Sequence, residues 1–308
     1  MTLRHAVAAL ALTAFAASPA SAEPLKVAAS FSILGDLVAQ VGGDRVKVET
    51  LVGPDGDAHV FSPSPADAKK IAEAKVVFEN GLALEGWMSR LVKSAGSRAP
   101  VIVAANGVKA REMKEDAGHG HGGRDDDEGG HAHPIDPHAW QSVPNVKVYV
   151  ANIQDALVAA DPEGKADYEA NAAAYAAKLD ALDAEIRAAW AKVPAERRRI
   201  ITSHDAFGYY ADAYGLQIVA PQGVSTEAEA SAKDVARIIR QVKAERIPAV
   251  FIENVTDKRL VQRIAKETGA KIGGALYSDA LSGKGGPAAT YLDMMRSNLR
   301  ELTSALQS

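Results

Sequence analysis

The chain has 308 residues, 47% hydrophobic and 24% charged, which excludes wholesale disorder and a multi-span membrane protein and leaves room for one large or two ordinary domains. Lys and Arg number 35 against 39 Asp and Glu, a formal charge of -4, so no basic excess exists to neutralise phosphates and nucleic acid is not an expected partner. There are no cysteines and eight histidines, so any metal site must use nitrogen and oxygen, and no disulfide can form.

Residues 1–22 carry the three parts of a secretory signal: a cationic start at Arg4 and His5, an apolar run from Ala6 to Ala17, and a small-residue exit ending Ala20-Ser21-Ala22. The apolar run is too short to span a bilayer, and cleavage is expected before Glu23. With no cysteine to carry a lipid, the mature protein is expected to be soluble in the periplasm or outside the cell, as a monomer.

After the signal, a short apolar strand, a polar or glycine turn and an amphipathic helix recur, which predicts βαβ units and parallel sheets. Strands are predicted at Leu25–Ala29, Val46–Val52, Val76–Phe78 and Val101–Ala104, and again at Arg199–Thr202, Gln217–Ala220, Ala249–Glu253 and Lys271–Ala275. The two sets resemble each other. An offset of 173 places Ser30 on Ser203, Gly35 on Gly208 and Gly42 on Gly215, and residues 64–80 and 231–254 each open on a serine suited to cap a helix and end on Glu-Asn.

Between the sets, Tyr168, Ala172, Tyr175, Leu179, Leu182, Ile186 and Trp190 form one apolar stripe at helical spacing, bracketed by Pro162 and Pro194. A helix from Gly164 to Lys192 would run about 44 Å, long enough to tie two lobes together. The expected fold class is therefore α/β: two similar lobes, each a mainly parallel four-stranded sheet with flanking helices, joined by a long helix. The expected divisions are an N-terminal lobe over 23–160, the connecting helix over 161–194 and a C-terminal lobe over 195–308. Residues 111–136 stand apart, with four histidines, six glycines and eight acidic residues among 26. That composition cannot bury enough surface to offset its ordering entropy, so a mobile loop is expected, and His-rich tracts of this kind suit metal binding.

His5 leaves with the signal, and His119, His121, His131 and His133 lie in the His-rich stretch as candidates for auxiliary metal capture. His59, His138 and His204 remain, each at a predicted strand-to-helix junction or loop, where open α/β sheets gather their ligands. Any one of them alone reads as a surface or hydrogen-bonded histidine. Their separations carry no local metal motif, such as a helical His-x-x-x-His pair.

The segments DAHVFSPSPAD (57–67), DPHAW (136–140), SHDAFGYYADAYGL (203–216) and LYSDALSGKGGPAATYLDMMRSNLREL (276–302) resemble the metal-binding solute-binding proteins of zinc and manganese ABC importers, across essentially the whole mature chain. The connecting helix and the His-rich acidic stretch resemble those of zinc members. The resemblance implies four metal ligands, His59, His138, His204 and Asp279, although Asp279 alone would read as a turn or capping aspartate. The family writes Asp-Pro-His around the first ligand; here Ala58 replaces the proline, which bears on the loop's stiffness but keeps the imidazole. Manganese members carry a Glu at the third position, so His204 favours zinc, and three imidazoles with one carboxylate suit a tetrahedral zinc ion.

The function implied is periplasmic capture of Zn2+ in an inter-lobe cleft and delivery to an ABC permease in the inner membrane. A zinc metallochaperone is a further expected partner. A manganese or iron carrier is the alternative within binding proteins. A secreted zinc hydrolase is the alternative among enzymes, disfavoured because four protein ligands leave no open position for a reactive water.

Overall fold

The computed structural model describes residues 23–112 and 135–307; the predicted signal at 1–22 and the histidines at 119, 121, 131 and 133 lie outside them. Four strands make the first sheet: β1 (Leu25–Phe31), β2 (Val46–Val52), β3 (Val76–Glu79) and β4 (Val101–Val103). Their helices are α1 (Ser32–Gly42), α2 (Pro65–Glu73) and α3 (Met88–Ser94). The strands stand in the order β2-β1-β3-β4 and every pairing is parallel, with Val27 of β1 opposite Val48 on one side and Val76 on the other. Parallel strands need crossovers, and the short amphipathic helices supply them.

A two-residue antiparallel pair follows, β5 (Arg111–Glu112) with β6 (Ile135–Asp136). These are the two ends of the His-rich stretch, so the expectation of a mobile loop from 111 to 136 is corrected at both ends: Arg111 pairs with Asp136, and Asp136 is completely buried. Two long helices come next, α4 (Val143–Ala160) and α5 (Lys165–Trp190).

The second sheet contains β7 (Arg199–Ile201), β8 (Gln217–Val219), β9 (Ala249–Glu253) and β10 (Lys271–Leu276), in the order β8-β7-β9-β10, again all parallel. Its helices are α6 (Gly208–Tyr214), α7 (Ala232–Glu245), α8 (Lys258–Thr268) and α9 (Tyr291–Gln307). Numbered within each half, both sheets run 2-1-3-4, so the expected pair of similar lobes is present.

Local chemistry sets the element ends. Ser64 and Asp67 form a reciprocal capping box with Pro65 in the first turn of α2, and Ser231 Oγ accepts from Asp234 N at the start of α7, as the two serines predict. The seven stripe residues of α5 are all buried. That helix packs on α1 and α4 from the first half and on α6 and α9 from the second. The main core consequently runs without a break from Val27 and Phe78 through Leu182 and Trp190 to Phe251 and Leu302. A smaller core lies beneath α7 and α8. Among the described residues no helix is long and apolar enough to cross a membrane.

Candidate metal centre

Three of the four residues singled out in the sequence follow the carboxyl ends of strands of the two parallel sheets, and the fourth follows the antiparallel strand β6. His59 lies in the loop after β2, His138 two residues after β6 at the start of a 3-10 turn, His204 three residues after β7, and Asp279 three residues after β10. Parallel sheets collect ligands at these ends, at the point where the strand order reverses. In the second sheet that point lies between β7 and β9, where His204 meets Glu253.

The four side chains converge. Their ligand atoms all lie within 4.8 Å of one another. His59 Nε2 is 3.2 Å from His138 Nε2, and Asp279 reaches His59 and His138 at 3.5 Å and His204 Nε2 at 3.1 Å. A tetrahedron with bonds of about 2.0–2.1 Å has edges of roughly 3.3 Å, so the cluster has the span of a four-coordinate ion. His138, His204 and Asp279 are fully buried, whereas the His59 side chain keeps 5% exposure. His59 therefore marks the mouth.

Burial makes the polar accounting of this cluster decisive. Neither carboxylate oxygen of Asp279 accepts a hydrogen bond, and His204 Nε2 has no aligned hydrogen-bond partner. A buried carboxylate that accepts no hydrogen bond is costly, and a cation at the centre of the cluster answers that deficit. Burial alone would raise the Asp279 carboxyl, but the imidazoles of His204 and His138 outweigh it and hold it well below the usual carboxylate range. Conversely, burial alone would lower His204, and the carboxylates of Glu253 and Asp279 hold it well above an ordinary histidine.

Carboxylates also stand behind two of the rings. Asp136 Oδ1 accepts from the backbone N–H of His138 at 2.9 Å and lies 2.8 Å from its Nδ1, while Oδ2 takes a hydrogen bond from Arg111 Nη1. Glu253 Oε1 accepts from the backbone N–H groups of Ser203 and His204 at 2.7 and 2.9 Å. Its Oε2 comes within 2.5 Å of His204 Nδ1, a close contact off the hydrogen-bond angle. A carboxylate on Nδ1 fixes the tautomer that leaves Nε2 free to ligate. Gly208, one of the repeated glycines, leaves space here: a Cβ on it would lie 2.4 Å from Arg111 Nη1 and 2.6 Å from Asp136 Oδ2.

The two lobes grip each other around the cluster. Trp140 Nε1 and Gln141 Nε2 both donate to Ser278 O, Tyr291 Oη donates to Trp140 O, and Leu281 N donates to Ser32 Oγ. These bonds tie the Asp279 loop to the first lobe.

Neither supporting carboxylate stands among the ligands the sequence points to. Asp136 stands two residues before His138 in DPHAW, and Glu253 belongs to the repeated Glu-Asn ending, so both carried a weak signal. Arg111 carried none.

The fold and the cluster together define a two-lobed binding protein with a buried three-histidine, one-carboxylate site between its sheets. The family described as zinc-uptake complex component A, periplasmic, matches residues 27–305, and the chain belongs to it. Members are extracytoplasmic metal-binding components of ABC transporters and not enzymes, which removes the hydrolase alternative. The chain is 34% identical over 284 residues to the manganese-binding lipoprotein MntA of Halalkalibacterium halodurans, covering 92% of this chain and 89% of that protein. It is 34% identical over 275 residues to the iron-binding protein YfeA of Yersinia pestis, covering 89% and 84%. Among solved structures, the periplasmic zinc binding protein TroA of Treponema pallidum superposes with a TM-score of 0.82 at 28% identity, covering 92% of this chain and 99% of that one.

Proposed function

We propose that this protein is the zinc carrier of an ABC importer: it captures Zn2+ between its lobes through His59, His138, His204 and Asp279 and delivers the ion to an inner-membrane permease. The observation that carries this reading is the cluster of three imidazoles, two of them fully buried, around a fully buried carboxylate whose oxygens accept no hydrogen bond. Nitrogen-rich four-coordinate sets suit zinc, whereas manganese takes more oxygen ligands and a higher coordination number. The test is metal content and affinity of the purified protein beside His204→Ala. One tightly held zinc per central site is expected, weakened at least about a hundredfold in the variant, since even residues behind a ligand are worth 10–100-fold. Equal affinity in the two proteins would refute the assignment.

The manganese- and iron-named relatives keep a second reading in play, a carrier of those ions. Uptake separates the two, because zinc outranks manganese at a nitrogen–oxygen site whichever ion is carried: a strain lacking the protein loses zinc import under chelation if zinc is the cargo, and manganese import if manganese is.

In this account the chain is exported by residues 1–22 and works in the periplasm as a soluble monomer. Several relatives are named lipoproteins, but this sequence has no cysteine to carry a lipid. The working units are a lobe over 23–160, a connecting helix over 161–194 and a lobe over 195–308. The β5–β6 pair flanks, in sequence, the stretch bearing His119, His121, His131 and His133, and its Asp136 stands behind His138. That stretch serves to capture zinc, or to receive it from a metallochaperone, and to pass it inward. Deleting 118–133 should slow transfer from donor proteins without changing equilibrium affinity at the centre. Unchanged transfer from every donor would remove that role.

A further inference from the structure

His138 and His204 each have a carboxylate behind the ring and are wholly buried. His59 differs on both counts: its side chain meets solvent, and among the described residues no carboxylate backs its Nδ1. It is the ligand on the solvent side of the site.

The loop after β2 carries it, fixed from its own lobe where Trp87 Nε1 donates to the buried Ala58 O at 2.9 Å, and held from the opposite lobe as well. Asp55 N donates to Leu281 O at 2.9 Å, and Asn254 Nδ2 donates to Asp55 Oδ1 at 3.0 Å. Nearer the ligand, Thr226 Oγ1 donates to Asp57 Oδ2 at 2.6 Å, while Asp57 Oδ1 accepts from the backbone N–H of His59 at 2.9 Å. One carboxylate therefore binds the His59 backbone with one oxygen and the second lobe with the other.

The loop carrying Thr226 is itself anchored to the buried side of the site. Gln222 Nε2 donates to Thr226 O at 3.2 Å and to Ala228 O at 2.7 Å. Gln222 pairs in parallel register with His204, and Asp205 N donates to Gly223 O at 3.2 Å. A line of paired and hydrogen-bonded groups thus runs from the His204–Asp205 backbone, bridged to Gln222 and Gly223, through Thr226 and Asp57 to His59. Every other ligand is wholly buried, so His59, carried just beyond the anchored Ala58, is the ligand that can turn toward solvent.

We infer that the Thr226–Asp57 hydrogen bond is the release latch of the metal site. Closed, it holds the His59 backbone against the ion; opened, it lets His59 turn its imidazole outward from the anchored Ala58, and the ion leaves on the His59 side. Thr226 and Asp57 are positioning residues that act through the His59 backbone. The inference rests on the proposed four-residue metal site.

Thr226→Val keeps the side-chain shape and removes only the donor, leaving Asp57 on the His59 N–H. The full-length protein loaded with one equivalent of zinc is mixed with excess chelator, and release from the central site is taken as the phase that disappears in His204→Ala. Thr226→Val should release zinc about tenfold faster, equivalent to about 1.4 kcal/mol, with one zinc still bound and the association rate changed less than twofold. Thr226→Ser, which restores the hydroxyl, should release at the parent rate. A Thr226→Val release rate within twofold of the parent, with the His204-dependent phase intact, would overturn the latch alone. Persistence of the slow phase in His204→Ala would overturn the metal-site reading and the latch with it.

Discussion

Replacing Glu253 by glutamine tests whether the carboxylate behind His204 matters for the metal. Glu253 Oε1 accepts from two backbone N–H groups, and Oε2 lies 2.5 Å from His204 Nδ1. Glutamine can keep the first role but turns an N–H donor toward Nδ1. A ring that ligates through Nε2 carries its proton on Nδ1, so the amide opposes the binding tautomer. The expected loss of zinc affinity is 10- to 100-fold, or about 1.4 to 2.7 kcal/mol.

A second readout follows from protonation. In the metal-free protein, burial opposes a charged His204, but Glu253 and Asp279 prevail and hold its pKa well above 6.5. The raised value means that His204 stabilises the metal-free fold fully below the unfolded value of 6.5, a contribution lost as pH rises through the folded value. It also means that zinc must displace this proton near neutrality, so affinity rises with pH. Removing the Glu253 charge lowers the His204 pKa, and fewer protons should be released per zinc. Calorimetry in buffers of different ionisation enthalpy measures affinity and proton release together. An affinity within twofold of the parent, with unchanged proton release, would refute the reasoning.

Three other outcomes are expected. Burial pushes the Glu85 carboxyl up to about 7 from 4.5 against hydrogen bonds from Ser30, Asn80 and Gly81, so unfolding free energy should fall as pH rises from 4.5 to about 7. Denaturant melts of Glu85→Gln should show a flatter profile over that window; an identical slope would count against it. Gly208→Ala forces Arg111 and Asp136 apart, which should weaken zinc binding about tenfold by isothermal titration while Leu157→Ala, remote from the site, leaves affinity unchanged. Leu182→Ala in α5 opens a cavity in the core shared by both lobes and should cost about 2–5 kcal/mol in a single calorimetric transition. Two separated transitions would contradict the continuous core.

Much of the architecture was legible because its signals are local. The α5 stripe and the strands at 46–52 and 249–253 follow from apolar periodicity, and the serines opening α2 and α7 act within one turn. β1 runs two residues beyond its predicted end because Ser30, polar in sequence, is buried with its hydroxyl on Glu85. The β5–β6 pair could not be read: two-residue strands have no period, and they are held by Arg111, whose guanidinium joins Asp136 and Asp212 across the lobes.

The candidate ligands were legible through motifs rather than spacing. His204 and Asp279 are 75 positions apart in sequence, yet their ligand atoms lie 3.1 Å apart. What escaped was the supporting shell. Glu253 reaches His204 from the end of a neighbouring strand, and Thr226 reaches Asp57 across 169 positions. Such partners are set by the order of strands in the sheet, which no local pattern records.

X-ray absorption spectroscopy of the full-length protein loaded with one equivalent of zinc tests the central claim most directly. The account predicts four nitrogen and oxygen neighbours at about 2.0–2.1 Å, with an imidazole count that falls by one in His204→Ala. Six-coordinate zinc, or a spectrum unchanged by that substitution, would contradict it.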